Sequence, residues 1–153
     1  RVCLFDATAE AIQLLSLQQD DRKIRLQNGC QPALCIRADR QRIQQVLLNL
    51  LTNARDASPD GSIVDVTNGS SGELVTLTVS DSGSGIPLAI QDRVFEPFFT
   101  TKDPGKGTGL GLALVYSIVN ELGGSVAINS PVDTVGRKGT KVIVTFPCYD
   151  RAA

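Results

Sequence analysis

Four short clusters carry side chains of types and spacings that could do chemistry. The first is Gln45-Val46-Leu47-Leu48-Asn49-Leu50-Leu51-Thr52-Asn53-Ala54. Asn is a mediocre residue in a helix interior. In a helix, Asn49 and Asn53 lie one turn apart and share a face. Two carboxamide oxygens there can reach a phosphate-bound cation, because Mg²⁺ commonly takes one or two protein ligands and fills its shell with water and phosphate. The bland alternative is two solvated amides on an exposed face. The second cluster is Asp81-Ser82-Gly83-Ser84-Gly85-Ile86, at the end of an alternating stretch. A carboxylate at the mouth of a sheet can accept from an exocyclic amine such as that of adenine. The small residues after it would let a flat ring approach the backbone. Here the alternative is a plain Asp/Ser/Gly turn.

The third cluster is Phe95-Glu96-Pro97-Phe98-Phe99-Thr100-Thr101-Lys102, which holds three of the chain's five phenylalanines. It suits an anchor that packs a loop onto the core, or the hinge of a lid that leaves Lys102 free to meet a phosphate. The fourth is Gly105-Lys106-Gly107-Thr108-Gly109-Leu110-Gly111-Leu112, a glycine-rich turn entering a helix. The first amides of a helix lack partners, so such a junction attracts anions. A flexible linker before an ordinary helix is the alternative. Two familiar phosphate motifs are absent. No G-x-x-x-x-G-K-[ST] occurs, and G-x-G-x-x-G fails because the sixth position from Gly83, Gly105, Gly107 or Gly109 is Leu each time.

Three helices have to position these clusters. Asp6 reads as the cap of a first helix over residues 7–19, with Ala7, Ala11, Leu14 and Leu15 on one face and Ile12 beside them. Asp39 reads as the cap of a second over 40–57, stopped by Ser58-Pro59-Asp60-Gly61. Its apolar face is Ile43, Val46, Leu47, Leu50, Leu51 and Ala54. A third runs over 108–122 and ends at Gly123-Gly124.

Strands are expected over 23–27, 33–38, 62–67, 74–80, 125–129 and 140–146, after a short apolar stretch at 2–5. Residues 68–72 read as a hairpin-like turn, and 131–138 as a loop. Residues 81–107 carry no long periodic element, which in a compact domain marks a functional loop or lid. The expected fold is an α/β two-layer sandwich of the α+β kind. A mixed sheet of about five strands carries three helices on one face.

The chain has 153 residues, enough for one domain with its own core. The hydrophobic share is 42% and the charged share 20%, as in ordinary globular proteins. A net charge of -1 disfavours a nucleic-acid binder. No apolar run approaches the ~18 residues of a membrane span. There is no Met, so the chain reads as a piece of a larger protein, all of it one domain over residues 1–153. There is no His either, which removes Ser-His and Cys-His catalysis and most zinc sites. Cys3, Cys30, Cys35 and Cys148 form no C-x-x-C pair. One or two disulfides are possible by count, and reduced thiols in a cytosolic protein are the simpler expectation.

Taken together and in this order, the four clusters resemble the N, G1, F and G2 boxes of the histidine-kinase catalytic and ATP-binding domain of the GHKL superfamily. The resemblance runs from about Asp39 to Phe146. The segment over 93–112 is similar to that of sensor kinases of the nitrogen-regulation and dicarboxylate-sensing type. The tail Gly139-Thr140 to Phe146-Pro147 resembles the family's last strand.

The resemblance implies a Bergerat-type fold with a long ATP lid over residues 86–106. It implies that Asp81 binds the adenine amine, with Gly83 and Gly85 shaping the pocket, Ile86 beside it and Thr140 near the ring. Asn53 would hold Mg²⁺ and Asn49 would stand near the phosphates. Gly107, Thr108, Gly109, Leu110 and Gly111, with Leu112 following, would wrap the triphosphate of ATP. Phe99 and Lys102 would complete the site from the lid. Hydrolytic members of the superfamily resemble this helix but carry a Glu base one turn before the metal-binding Asn. Here that position is Asn49, and an amide cannot take a proton from water.

The resemblance therefore implies a protein-histidine kinase that donates the γ-phosphate of Mg-ATP to a His in two-component signalling. No catalytic residue lies in this chain, because the acceptor His sits on a dimerisation and phosphotransfer domain outside it. Further implied partners are the receiver domain of a response regulator and no nucleic acid. The piece itself is expected to be monomeric and cytoplasmic. Its parent would be a homodimer, free or anchored in the inner membrane. Three alternatives stay open: a hydrolytic ATPase of the same superfamily, a degenerate nucleotide-binding module kept for protein interaction, and a serine-phosphorylating relative, which matches the Phe-rich segment less well.

Overall fold

Alternation of apolar and polar residues along the strands gives the sheet one oily face, and three helices cover it. The computed structural model describes residues 1–17, 23–83, 85–86, 88–96, 111–129 and 139–148. The strands are β1 (Val2–Cys3), β2 (Arg25–Asn28), β3 (Cys35–Ile36), β4 (Ile63–Ser71), β5 (Leu74–Asp81), β6 (Ser125–Asn129) and β7 (Thr140–Pro147). The α-helices among the described residues are α1 (Leu4–Ser16), α2 (Arg40–Ala57) and α3 (Gly111–Glu121), and a 3-10 helix spans Leu88–Arg93.

The main sheet has the order β2-β4-β5-β7-β6. Among the described strands only β2 and β4 pair in parallel, and α2 lies in the crossover between them, as a parallel connection requires. The other neighbours are antiparallel. β1 and β3 form a separate two-stranded ladder. Val64, Val66, Val75, Leu77, Val79, Val144 and Phe146 point into the core, while Thr76, Thr78 and Ser80 alternate with them on β5. The sandwich, the mixed five-stranded sheet and the three helices agree with the sequence expectation.

α2 is the central helix and packs against both α1 and α3. Its bounds match the expectation because both ends are chemically marked. The Asp39 side chain accepts from the Gln41 amide at 2.9 Å, satisfying one unpaired first-turn donor. At the other end Ser58 is buried, and its hydroxyl donates to the Ala54 carbonyl at 2.6 Å.

Two expectations are corrected. α1 starts at Leu4 with Cys3 as its N-cap, so Asp6 lies in the first turn and does not cap the helix. The fully buried Leu4 side chain and the Leu4 N–H bond to the Leu34 carbonyl at 3.1 Å pull the start back. Consequently the buried face is Leu4, Ala7, Thr8, Ala11 and Leu15, and Leu14 is 45% exposed. The hairpin turn is also displaced. Residues 68–71 continue β4, and the reversal falls between Ser71 and Leu74, with Gly72 in the left-handed region at φ 60°. Asn68 is occupied elsewhere: its side chain accepts from the Gln31 amide at 2.7 Å and donates to the Gln31 carbonyl at 3.2 Å.

Candidate nucleotide site

β5 ends at Asp81, directly opposite Thr140, the first residue of β7. Asp81 is therefore held at the mouth of the sheet between two strands. Its Oδ1 accepts from the Gly83 amide at 2.8 Å, an Asx-type turn that reverses the chain after the strand. Burial raises its pKa above the usual carboxylate value, while backbone hydrogen bonds from Gly83 and Thr140 act in the opposite direction. Desolvation dominates. A half-buried carboxylate with spare lone pairs is well suited to accept from an amine of a flat ligand.

Two glycines fix this corner by close approach. A Cβ at Gly83 would lie 2.4 Å from the Ala57 carbonyl oxygen, so the turn rests directly on the last residue of α2. A Cβ at Gly139 would lie 2.6 Å from the Asp81 carbonyl oxygen, and Gly139 has φ 140°. Gly83 was legible in the sequence as part of a glycine-bearing turn. Gly139 was legible only as the residue before the last strand. The signal that could have found it is a glycine immediately ahead of a strand whose first residue pairs with Asp81, and that pairing needs the sheet order.

The second half of the site lies on α2. Asn49 and Asn53 are half-buried beside the core stripe, so the picture of two fully solvated amides does not hold. Gly111, the first residue of α3, faces both of them. A Cβ there would stand 3.5 Å from Asn53 Nδ2 and 3.9 Å from Asn49 Oδ1. The two asparagines thus meet the N-terminal end of α3, where backbone N–H groups lack intrahelical partners. One wall offers two carboxamide groups, with Asn49 Oδ1 and Asn53 Nδ2 nearest Gly111, and the other is the end of a helix. A hard carboxamide oxygen beside an anion-attracting helix end suits a phosphate-bound divalent cation. No group of three or more His, Cys, Asp and Glu side chains that could hold a metal occurs among the described residues.

Gly85 sits at φ 81° after the Asp81 turn. The Ile86 carbonyl accepts from the Gln91 side chain at 2.9 Å, folding the start of the expected lid back on itself. That part contains the 3-10 helix Leu88–Arg93, so it is not structureless. Val94 is buried, and the Phe95 ring lies 5.6 Å from the Tyr116 ring on α3. Phe95 thus contacts α3 at the exposed Tyr116, and Phe98 and Phe99 of the same cluster lie outside the described residues. Leu112 packs partly buried against the core. Phe99, Lys102, Gly107, Thr108, Gly109 and Leu110 lie outside the described residues.

Residues 38–150 match the family model for the histidine kinase-, DNA gyrase B- and HSP90-like ATPase. The sensor histidine kinase ZraS of Escherichia coli K12 is 42% identical over 121 residues, which are 78% of this chain and 26% of that protein. A mycobacterial sensor histidine kinase, MprB, superposes with a TM-score of 0.86 at 26% identity, over 98% of this chain and 97% of that one. Full-length ShkA, solved in complex with AMPPNP, superposes with a TM-score of 0.82 at 27% identity, over 99% of this chain and 31% of that one. The chain spans 16–31% of the length of curated relatives of this kind.

Proposed function

The chain belongs to the histidine kinase-, DNA gyrase B- and HSP90-like ATPase family, and from that membership we propose that it is the ATP-binding catalytic domain of a two-component sensor kinase. In this reading it binds Mg-ATP and presents the γ-phosphate to a His on a dimerisation and phosphotransfer domain. The receiver domain of a response regulator takes the phosphoryl group next. The domain works in the cytoplasm, where ATP is supplied.

One observation carries the reading. Gly111 at the start of α3 faces Asn49 and Asn53 on α2, while the last residue of the same α2 carries the Asp81–Gly83 turn. One helix thus joins a base-accepting corner to a phosphate-accepting one. Asp81 accepts from the adenine amine, with Gly83, Gly85, Ile86 and Thr140 forming the walls around the ring. Asn53 holds Mg²⁺ and Asn49 stands by the phosphates. Gly107, Thr108, Gly109, Leu110, Gly111 and Leu112 wrap the triphosphate, with Phe99 and Lys102 closing from the lid. Mg²⁺, when bound, neutralises phosphate charge. Phosphoryl transfer is largely positioning and charge neutralisation, so a binding site without a general base is sufficient. Asn49 cannot deprotonate water, which favours holding ATP over hydrolysing it. The chain has no His, so a His acceptor comes from outside these 153 residues.

The test is calorimetry of Mg-ATP and Mg-ADP on this chain and on Asp81→Asn, followed by transfer of label from γ-labelled ATP to a supplied phosphotransfer domain of a sensor kinase. We expect binding that the substitution removes, little turnover alone, and acid-labile label on the supplied His. Rapid steady hydrolysis by the chain alone would replace this reading with a hydrolytic ATPase. Absence of nucleotide binding would replace it with an interaction module.

A further inference from the structure

The small ladder of β1 and β3 lies outside the nucleotide site. Its register sets Val2 opposite Ile36 and Cys3 opposite Cys35. One step further along, the Leu4 amide donates to the Leu34 carbonyl at 3.1 Å. Hydrogen-bonded and non-hydrogen-bonded pairs alternate in an antiparallel ladder, so Cys3 and Cys35 occupy a non-hydrogen-bonded pair. Directly opposed side chains approach most closely at such pairs, and the Cα spacing of ~4.5 Å lies within the range a disulfide spans. Their sulfurs stand 2.6 Å apart, and all four cysteines of the chain are thiols in this structure. The two differ in access: Cys3 is half-buried and Cys35 is 5% exposed. The remaining cysteines are placed differently. Cys30 is buried with its sulfur 3.8 Å from the Thr8 hydroxyl, and Cys148 follows β7 with its amide bonded to the Glu73 carbonyl.

We propose that Cys3 and Cys35 form a redox-active dithiol that closes into a cross-strand disulfide on reaction with a low-molecular-weight disulfide. The more accessible Cys3, as thiolate, attacks one sulfur of the small disulfide. One small thiol leaves, and a mixed disulfide stands on Cys3. Cys35, already opposite, attacks the Cys3 sulfur and expels the second small thiol. In sum two protein S–H bonds are exchanged for one protein S–S bond, the two hydrogens pass to the two small thiols, and the small disulfide is reduced by two electrons.

The bond would act on the helices rather than on the nucleotide. Cys3 is the N-cap of α1 and offers no side-chain cap hydrogen bond. Cys35 lies four residues ahead of Asp39, which caps α2. The link therefore ties the entry of α1 to the segment that enters α2 and closes a long loop of the unfolded chain. Asn53 sits roughly 20 Å further along α2 at the usual helical rise.

The experiment treats the intact chain with oxidised glutathione, blocks remaining thiols in denaturant and maps the peptides by mass spectrometry. We expect residues 3 and 35 to be joined, Cys30 and Cys148 to be blocked, and reductant to reverse the change. The melting temperature should rise by about 10 °C on closure of a loop this long, with Mg-ATP affinity changed less than twofold. Neither Cys3→Ser nor Cys35→Ser should gain this stability. The mapping needs no variant, so a variant that folds poorly does not blunt the test. Four blockable thiols after treatment, a lasting glutathione adduct on Cys3, or a bond to Cys30 or Cys148 would each overturn the proposal. None of these outcomes depends on whether the chain binds nucleotide.

Discussion

The two corners of the site are built by opposite means. At the Asp81 corner backbone rests on backbone: Gly83 on the Ala57 carbonyl and Gly139 on the Asp81 carbonyl, with no room for a methyl group. At the asparagine corner two side chains face Gly111 across ordinary contact distances of 3.5–3.9 Å. The first corner is set by the fold and can recognise a rigid ring. The second has slack, as a site must have if a triphosphate, a cation and a lid come and go. Substitutions of the close-packed glycines should therefore damage fold and binding together at the first corner, whereas side-chain substitutions should touch binding alone at either corner.

The strongest way to break this contrast is Gly83→Ala. Its Cβ would meet main-chain oxygen at 2.4 Å, and overpacking of this kind costs about 1–3 kcal/mol or more. A lower melting temperature and loss of nucleotide binding should appear together in thermal melts and calorimetry. If Gly83→Ala melts like the parent, the corner is not fixed by the backbone contact.

Next comes Asp81→Asn. A hydrogen bond to a charged acceptor is worth about 1.5–3 kcal/mol, so affinity for Mg-ATP should fall ten- to a hundredfold, read by calorimetry. Stability should not fall with it, because burial penalises the ionised carboxylate. The sign can be checked by pH. The folded-state pKa of Asp81 is raised, so its favourable contribution is complete below the unfolded-state value and is lost as pH rises through the folded one. In urea melts, the variant's stability relative to the parent should therefore increase from acid to neutral pH. For the same reason nucleotide affinity of the parent should begin to fall, on acidification, above the ordinary carboxylate value of about 3.9.

A smaller effect is expected at the looser corner. Asn53→Ala should weaken Mg-ATP binding by about tenfold, the order of one lost polar contact. It should leave nucleotide binding without Mg²⁺ almost unchanged, and melting within a few degrees of the parent. Equal losses with and without Mg²⁺ would detach Asn53 from the cation. Smallest of all is Gly111→Ala, whose methyl would meet the amides at ordinary contact. Affinity should change less than threefold, measured by the same titration. A collapse of binding there would mean that the second corner is as tight as the first.

The same contrast explains what the sequence disclosed. Ser/Asp caps, a Pro-Gly stop and a 3.6-residue apolar stripe are local signals, and α2 was legible from them to both of its ends. Asn68-Gly69 was misleading, because its amide serves a main-chain clamp to Gln31, 37 residues away. Asp6 was misleading because a core position, Leu4, and a partner strand drew the helix start forward. In each case a long-range contact overrode a local preference.

By itself the sequence determined the four chemical clusters, the helix that carries the asparagines, the alternating core face of β4, β5 and β7, and the absence of any His. These follow from side-chain type and short spacing, which chain direction alone preserves. Only the tertiary structure decided that Thr140 stands opposite Asp81, that Gly139 must lie against that strand end, that Gly111 looks onto both asparagines, and that Cys3 meets Cys35. Those pairings join residues tens of positions apart. They depend on strand order and register, which form when the helices and the sheet bury their apolar faces against one another.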